Sequence, residues 1–272
     1  YLSYRMKYIV SFTTSPTRIH KCQPMLESLL NQSRKPDLIV LNIPHKFART
    51  GETYDIPNNV SNSVYINRIE KDYGPGTKII PTITLLIEKK YKFNDTRIIY
   101  LDDDIIYPIN MIESYEDTIN NNDNSVWTAT GFNFVNLRIC GERRHGMRTT
   151  IAEGYGGVCV KMSTFRSDFI DYINEYIKDQ DCLLSDDMIL SNYYHKHNIN
   201  IYILNIKNKY SIIDMWQNNS ILEYGNEDDA LHNGANGTSE TNVNRYNKVI
   251  RKLGKERYFK LHFIHEGKVK TY

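Results

Sequence analysis

The chain has 272 residues, with 34 Lys and Arg against 32 Asp and Glu and a formal net charge of +2, so no overall field argues for nucleic acid or a membrane surface as partner. That length suits one α/β domain with a substantial core, and no apolar run reaches the roughly 20 residues that would cross a bilayer. Cys22, Cys140, Cys159 and Cys182 form no CxxC pair and no Cys/His zinc spacing, which excludes a zinc ribbon and points to reduced thiols.

In chain order, KYIVSF (7–12) reads as a buried strand and CQPMLESLLNQ (22–32) as a helix with Met25, Leu26, Leu29 and Leu30 at helical spacing. DLIVLNI (37–43) and SVYINRI (63–69) are further strands, KIIPTITLLIEKK (78–90) a helix, and RIIYL (97–101) a fourth strand. Alternation of this kind predicts a mostly parallel sheet with helices on its faces. SVWTATGFNFVNLRI (125–139) is strand material broken at Gly131, residues 143–157 read as a loop, and VCVK is a short strand. Helices are predicted from about Ser163 to Ile177 and from Ser185 to Asn198, the latter with Ser185 as N-cap. INIYIL (199–204) is a late strand, the polar stretch from Met215 to Asn242 a mobile segment, and NVNRYNKVIRKLG a last helix ending near Gly254. No repeat or linker divides the chain, so one domain is expected over 1–272, with a nucleotide-binding part over about 1–110 and an acceptor part over about 111–272.

Chemistry concentrates at five places. In RIIYLDDDIIYP (97–108) a short apolar run ends in Asp102, Asp103 and Asp104 and apolar residues then resume. In open α/β sheets ligands bind outside the carboxyl ends of strands, and the acids lie at such an end. An extended backbone there sends Asp102 and Asp104 to one side and Asp103 to the other. Two unit charges about 4 Å apart repel by about 1 kcal/mol in water and about 4 kcal/mol at an intermediate effective dielectric. The triplet therefore needs solvent or a cation, and carboxylate oxygens suit Mg2+ or Mn2+. A wet turn is the plain alternative. A phosphohydrolase with an aspartyl nucleophile is the sharper one, although that class carries its acids near the start of the domain.

Upstream, SFTTSPTRI (11–19) offers hydroxyls and Arg18 to a nucleotide, or simply makes a turn. DYGPGTK (72–78) leads into a helix at Lys78, and a helix N-terminus with a Lys favours phosphate; a turn with a surface lysine is the alternative. The three glycines of EGYGG (153–157) let backbone approach a ligand or a neighbouring strand. In SDDMIL (185–190), Asp186 and Asp187 open a helix, where the dipole stabilises acids without catalysis and where a carboxylate can also act as a general base.

Taken together, VSFTTSPTRI, MLESLLNQSRKPDLIVLNIP, DYGPGTKIIP, IIYLDDDIIYP, EGYGGVCV and SDDMIL resemble the GT-A-type glycosyltransferases, specifically polysaccharide-type transferases of bacteria and large DNA viruses, over roughly Lys7 to Asn198. The resemblance implies a GT-A (Rossmann-like) fold with a DxD motif, a nucleotide-sugar donor with uridine as the default base, a glycan or other hydroxyl acceptor, and Mn2+ or Mg2+ as cofactor. It implies Asp102 and Asp104 as metal ligands, with Asp102 and Asp103 toward the sugar nucleotide. Thr13 and Arg18 would lie by the nucleotide, Asp72 near the base and Lys78 near the diphosphate. It makes Asp187 the general base of an inverting displacement, with Asp186 in the place of the usual Glu. His232 is the expected late metal ligand, with His262 and His265 behind it, and Trp127, Gly156 and Gly157 would frame the acceptor. An inactive carbohydrate-binding relative of the same fold stays open.

The abundance of Asn, Ile, Lys and Tyr, whose codons are AT-rich, fits an AT-rich genome such as a protist's or a large virus's, and makes sequons such as Asn94-Asp95-Thr96 weak signs of secretion. A cytoplasmic setting is expected, that of the host if the source is viral. No leader pattern opens the chain, and a start at Tyr1 leaves room for a longer protein.

Overall fold

The computed structural model describes residues 5–142, 144–204, 241–265 and 268–272. Its elements in chain order begin with β1 (Lys7–Phe12), α1 (Gln23–Leu30), β2 (Leu38–Pro44), α2 (Asn58–Ser61), β3 (Tyr65–Ile69), α3 (Ile80–Glu88), β4 (Thr96–Tyr100) and α4 (Met111–Thr118). They continue with β5 (Val126–Thr128), β6 (Gly131–Val135), β7 (Arg138–Glu142), β8 (Ile151–Ala152), β9 (Val158–Lys161), α5 (Phe169–Tyr176), α6 (Gln180–Leu183), α7 (Asp186–Lys196) and β10 (Ile201–Ile203). The helix α8 (Asn242–Leu253) and the hairpin β11 (His262–His265) and β12 (Lys268–Thr271) close the chain.

Seven strands form the central sheet in the order β10-β5-β9-β4-β1-β2-β3. All neighbouring pairs are parallel except those of β9, which runs antiparallel to both β4 and β5. The expected α/β class with a mostly parallel, helix-flanked sheet is therefore what the chain adopts. Period-2 alternation in β1 explains how both faces are covered. Tyr8, Val10 and Phe12 enter a core with Met25, Leu26 and Leu29 of α1 and Met111, Ile112 and Tyr115 of α4. Ile9 faces the other way, into the core with Ile80, Ile83 and Leu86 of α3 and with α5, α7 and α8. Each such fully buried side chain contributes about 1.5–3 kcal/mol relative to leaving it exposed.

A second sheet in the order β12-β11-β6-β7, with β8 paired to β6, lies beside the first. The break expected at Gly131 is real: β5 belongs to the central sheet and β6 to the second, and a Cβ at Gly131 would sit 2.6 Å from the Ile151 carbonyl. The hairpin from β6 to β7 turns through Asn136 and Leu137, both at positive φ.

Three readings need correction. The helix expected from Ser163 begins only at Phe169, because the Tyr193 hydroxyl accepts from the Arg166 N–H and donates to the Asp168 carboxylate, holding the approach to α5 out of the helix. Ser185 does stand at the N-cap of α7, but its side chain does not cap; its hydroxyl accepts from Arg245 Nε at 3.3 Å instead. The loop read over 143–157 holds the strand β8. The mobile segment expected over Met215–Asn242 lies almost wholly outside the described residues.

Candidate active site

The carboxyl ends of β1, β2 and β4 meet at one edge of the central sheet, and the acids follow β4 there. The ladder runs one residue past the strand, since the Leu101 N–H donates to the Ser11 carbonyl at 3.1 Å. The backbone then turns through Asp103 and Asp104 rather than staying extended, so the alternation expected of the triplet does not occur. Ile105 and Tyr107 are buried in the core beside α4 and draw the chain back under the sheet. Asp103 and Asp104 consequently share one cation: Arg18 Nη2 lies 2.8 Å from Asp103 Oδ1 and 2.6 Å from Asp104 Oδ2. Thr14 Oγ1 donates to Asp103 Oδ2 at 2.5 Å. Asp102 does not share the Arg18 contact but its charge reaches Asp104, and its N–H donates to the Tyr107 hydroxyl at 3.1 Å.

Asp102 pairs with Lys78, whose Nζ is 2.6 Å from Asp102 Oδ1 and 3.1 Å from Asp186 Oδ2. The lysine is buried, with its side chain only 5% exposed. A polar network inside the α3 face of the sheet puts it there. Ser11 Oγ donates to the Lys78 carbonyl at 2.5 Å, Asn42 Nδ2 donates to Ser11 Oγ and Thr82 Oγ1, and Asn67 Nδ2 donates to Asn42 Oδ1. Buried polar groups left unpaired cost about 1–3 kcal/mol each, so this network locks the start of α3 to β1, β2 and β3. Asp72 organises the turn just before it by accepting from the Gly74 N–H, Thr77 Oγ1 and the Ala48 N–H. Thr13 Oγ1 donates to the Asn42 carbonyl at 2.8 Å.

The second acid group arrives on α7. Asp187 Oδ1 accepts from the Gly154 N–H at 2.9 Å, and the Tyr107 hydroxyl lies 2.9 Å from the Tyr155 carbonyl, so the glycine-rich turn is tied to both acid groups. Gly154 is packed closely there: an added Cβ would meet Lys78 Nζ at 2.6 Å and Asp187 Oδ1 at 3.2 Å and displace the ammonium. Gly156 and Gly157 are buried, and the Gly157 carbonyl accepts from the Tyr115 hydroxyl at 2.8 Å. Trp127 is half-buried, its Nε1 donating to Asp123 Oδ2 and its ring 5.2 Å from that of Tyr202.

Five carboxylates thus face two cations, and burial shapes their proton affinities. Burial raises Asp103 to about 7 against the opposing pull of Arg18. Asp104 is raised by burial and by the charge of Asp102. Asp187 is held well above the usual carboxylate range by burial and by Asp186 beside it, with Lys78 opposing. Burial pulls Lys78 down, but the charges of Asp102, Asp186 and Asp187 more than offset it and hold the ammonium well above its ordinary value. Asp186 Oδ2 is buried and in charge contact with Lys78, but it makes no hydrogen bond.

This surplus of hard oxygen donors fits Mg2+ or Mn2+, which commonly take one or two carboxylates and leave the rest of the shell to water and phosphate. Among the described residues no group of three or more His, Cys, Asp or Glu is arranged to hold a metal. His232 lies outside the described residues. His262 is on β11 in the second sheet, its Nδ1 3.1 Å from Thr271 Oγ1, and His265 ends the same strand. All four cysteines are free, and among the described residues no helix is long and apolar enough to cross a membrane.

The sequence reading gave no part in this site to Asn42, Thr82 or Tyr107, and it held Ser11, Thr14 and Gly154 only within the stretches SFTTSPTRI and EGYGG, with no role of their own. Asn42 alone carried a signal, as a polar residue inside the apolar run LIVLNI.

No protein-family model matches the chain, and no curated protein matches it. Among solved structures, the apo form of mouse xyloside xylosyltransferase 1 is similar over 74% of this chain and 85% of that one, with 12% identity and a TM-score of 0.33. A likeness that distant supports no functional argument, and the site has to carry the reading.

Proposed function

We propose that the chain is a metal-dependent glycosyltransferase that moves a sugar, a hexose or deoxyhexose, from a nucleotide-sugar donor, with UDP as the default nucleotide, to a hydroxyl of a glycan or other acceptor. The observation that carries this reading is the Lys78 ammonium, 2.6 Å from Asp102 and 3.1 Å from Asp186. It joins a strand-end acid group and a helix-start acid group, far apart in sequence, at the carboxyl edge of a mostly parallel sheet, the edge where such folds bind ligands.

In this reading Asp187 takes the proton of the acceptor hydroxyl. The acceptor oxygen bonds to the anomeric carbon, the bond from that carbon to the diphosphate oxygen breaks, and the nucleoside diphosphate leaves with the electron pair. Gly154 fixes one oxygen of Asp187 through its N–H, and the raised proton affinity of the carboxyl brings it nearer the operating pH, where a general base is most effective. Asp102 and Asp104 would hold a Mg2+ or Mn2+ ion, which supplies charge neutralisation for the leaving diphosphate. Arg18 orients Asp103 and Asp104 on the donor side, and Trp127 with the turn at Gly156 and Gly157 would border the acceptor. A nucleotide-sugar is compatible with the near-neutral charge of the chain, and no nucleic acid enters the scheme.

UDP release measured over a panel of nucleotide-sugars in Mn2+ tests the reading. Donor-dependent release that collapses in Asp187→Asn supports it. Stabilisation in thermal melts by phosphate or vanadate but not by any nucleotide would replace it with a phosphohydrolase, and no shift with either would leave a carbohydrate-binding domain.

A further inference from the structure

A lysine that reaches for a diphosphate ordinarily extends toward solvent, and Lys78 does not. Its carbonyl is held by Ser11, its side chain is buried, and Gly154 leaves no room on one side of Nζ, where an added Cβ would come within 2.6 Å. Its ammonium spends its charge on Asp102 and Asp186. Two cations on one carboxylate repel in proportion to the product of their charges and inversely with their separation, so an ammonium 2.6 Å from Asp102 opposes a divalent ion there. The alternative resting place is already built. Asp186 Oδ2 is buried, 3.1 Å from Nζ, and has no hydrogen bond, so it can take the ammonium fully if Asp102 gives it up.

Resting on the transferase reading, we propose that Lys78 is the resident counter-ion of the cation site: it competes with a divalent ion for Asp102 and moves onto Asp186 when that ion binds. Lys78 is thereby a positioning residue that keeps the strand-end and helix-start acids together before loading. When the ion binds, Asp102 is released to it while α7 keeps its cation.

Binding of Mn2+ alone, followed by the electron paramagnetic resonance of the free ion, tests this on the purified chain. Lys78→Met is expected to bind Mn2+ about tenfold or more tightly than the native protein, the effect of removing one nearby positive charge. Lys78→Arg, which keeps the charge, is expected to stay within about threefold of native. Equal or weaker Mn2+ binding in folded Lys78→Met overturns the proposal, and so does tight binding in Lys78→Arg. Should Lys78→Met not fold, the neutral Lys78→Gln is read in its place on the same Mn2+ titration. It too is expected to bind Mn2+ more tightly than the native protein, and equal or weaker binding in it overturns the proposal. Absence of Mn2+ binding in every form overturns it too. Sugar transfer in the presence of EDTA then separates the two failures, because transfer without metal keeps a glycosyltransferase but removes its metal dependence together with the counter-ion, whereas no transfer with or without metal removes the transferase reading itself.

Discussion

Asp102, Asp103 and Asp104 end a buried strand, whereas Asp186 and Asp187 begin a helix, and the two positions relieve the same repulsion by different means. The strand end has no local remedy, so its charges are met from elsewhere in the chain: Arg18 from the loop after β1, Lys78 from the turn before α3, and the hydroxyl of Thr14. The helix start carries a positive end of its own, worth about 0.3–1 kcal/mol per acid. It adds the Gly154 N–H and a share of Lys78. The difference teaches where mutations should be felt: the strand end is a structural commitment of several elements, while Asp187 is tolerated locally and its removal should cost chemistry rather than folding.

The largest effect expected from that contrast is on turnover. Asp187→Asn should lower sugar transfer about 10²- to 10⁴-fold, the range of a lost general base. Its melting temperature should stay level or rise, because the fold disfavours the charged carboxyl. A lower melting temperature with transfer intact would erase the contrast.

On the strand-end side, Arg18→Met leaves two carboxylates without their guanidinium, and one of them, Asp103, is 4% exposed. Urea denaturation should show a loss of about 3 kcal/mol, the low end for breaking a buried ion pair. A loss below about 0.5 kcal/mol would mean that the strand end is as self-sufficient as the helix start.

A pH series sharpens the comparison. Asp103 holds its proton up to about 7 in the folded chain but only to about 4 when unfolded. Between those values the folded state binds more protons than the unfolded one, so this group makes stability fall as pH rises from about 4 to 7 and level off above. Asp104 and Asp187 push in the same direction. Urea midpoints from pH 4 to 8 should show a shallower fall in Asp103→Asn than in the native chain, and an unchanged slope would remove Asp103 from the account.

The smallest effect is expected at Gly157, where φ is +85° and an added Cβ would meet Met111 Sδ at 3.4 Å. Gly157→Ala should cost about 1–2 kcal/mol of stability for the positive-φ backbone and raise the acceptor KM of the folded fraction with kcat close to native. An unchanged acceptor KM would take this turn away from the acceptor.

Much of the fold was legible because the first half writes its strands in β-branched runs and its helices in apolar periodicity. LIVLNI and RIIYL stand where they were read, within a residue or two. Other elements were not legible. MIESYEDT forms α4 with a weak apolar pattern, since Met111, Ile112 and Tyr115 are buried by the sheet they meet rather than by a long stripe. The hairpin of β11 and β12 completes a second sheet whose other strands lie more than a hundred residues upstream. The acids themselves were visible as charges in an apolar frame, but their division was not. Asp103 and Asp104 go together only because Ile105 and Tyr107 are drawn into the core and turn the backbone.

By itself the amino-acid sequence determined the alternation of strands and helices, the strand end at which the acid triplet stands and the helix start that holds the second pair. These follow from hydrophobic period and from charges whose burial is costly, both of which are local properties. Only the tertiary structure decided that Lys78 belongs to both acid groups and that Arg18 belongs to two of the three strand-end acids. Which cation meets which carboxylate depends on how the loops after β1, β3 and β4 and the start of α7 converge on one sheet edge, and distances of that kind between remote residues are set by packing rather than by any local pattern.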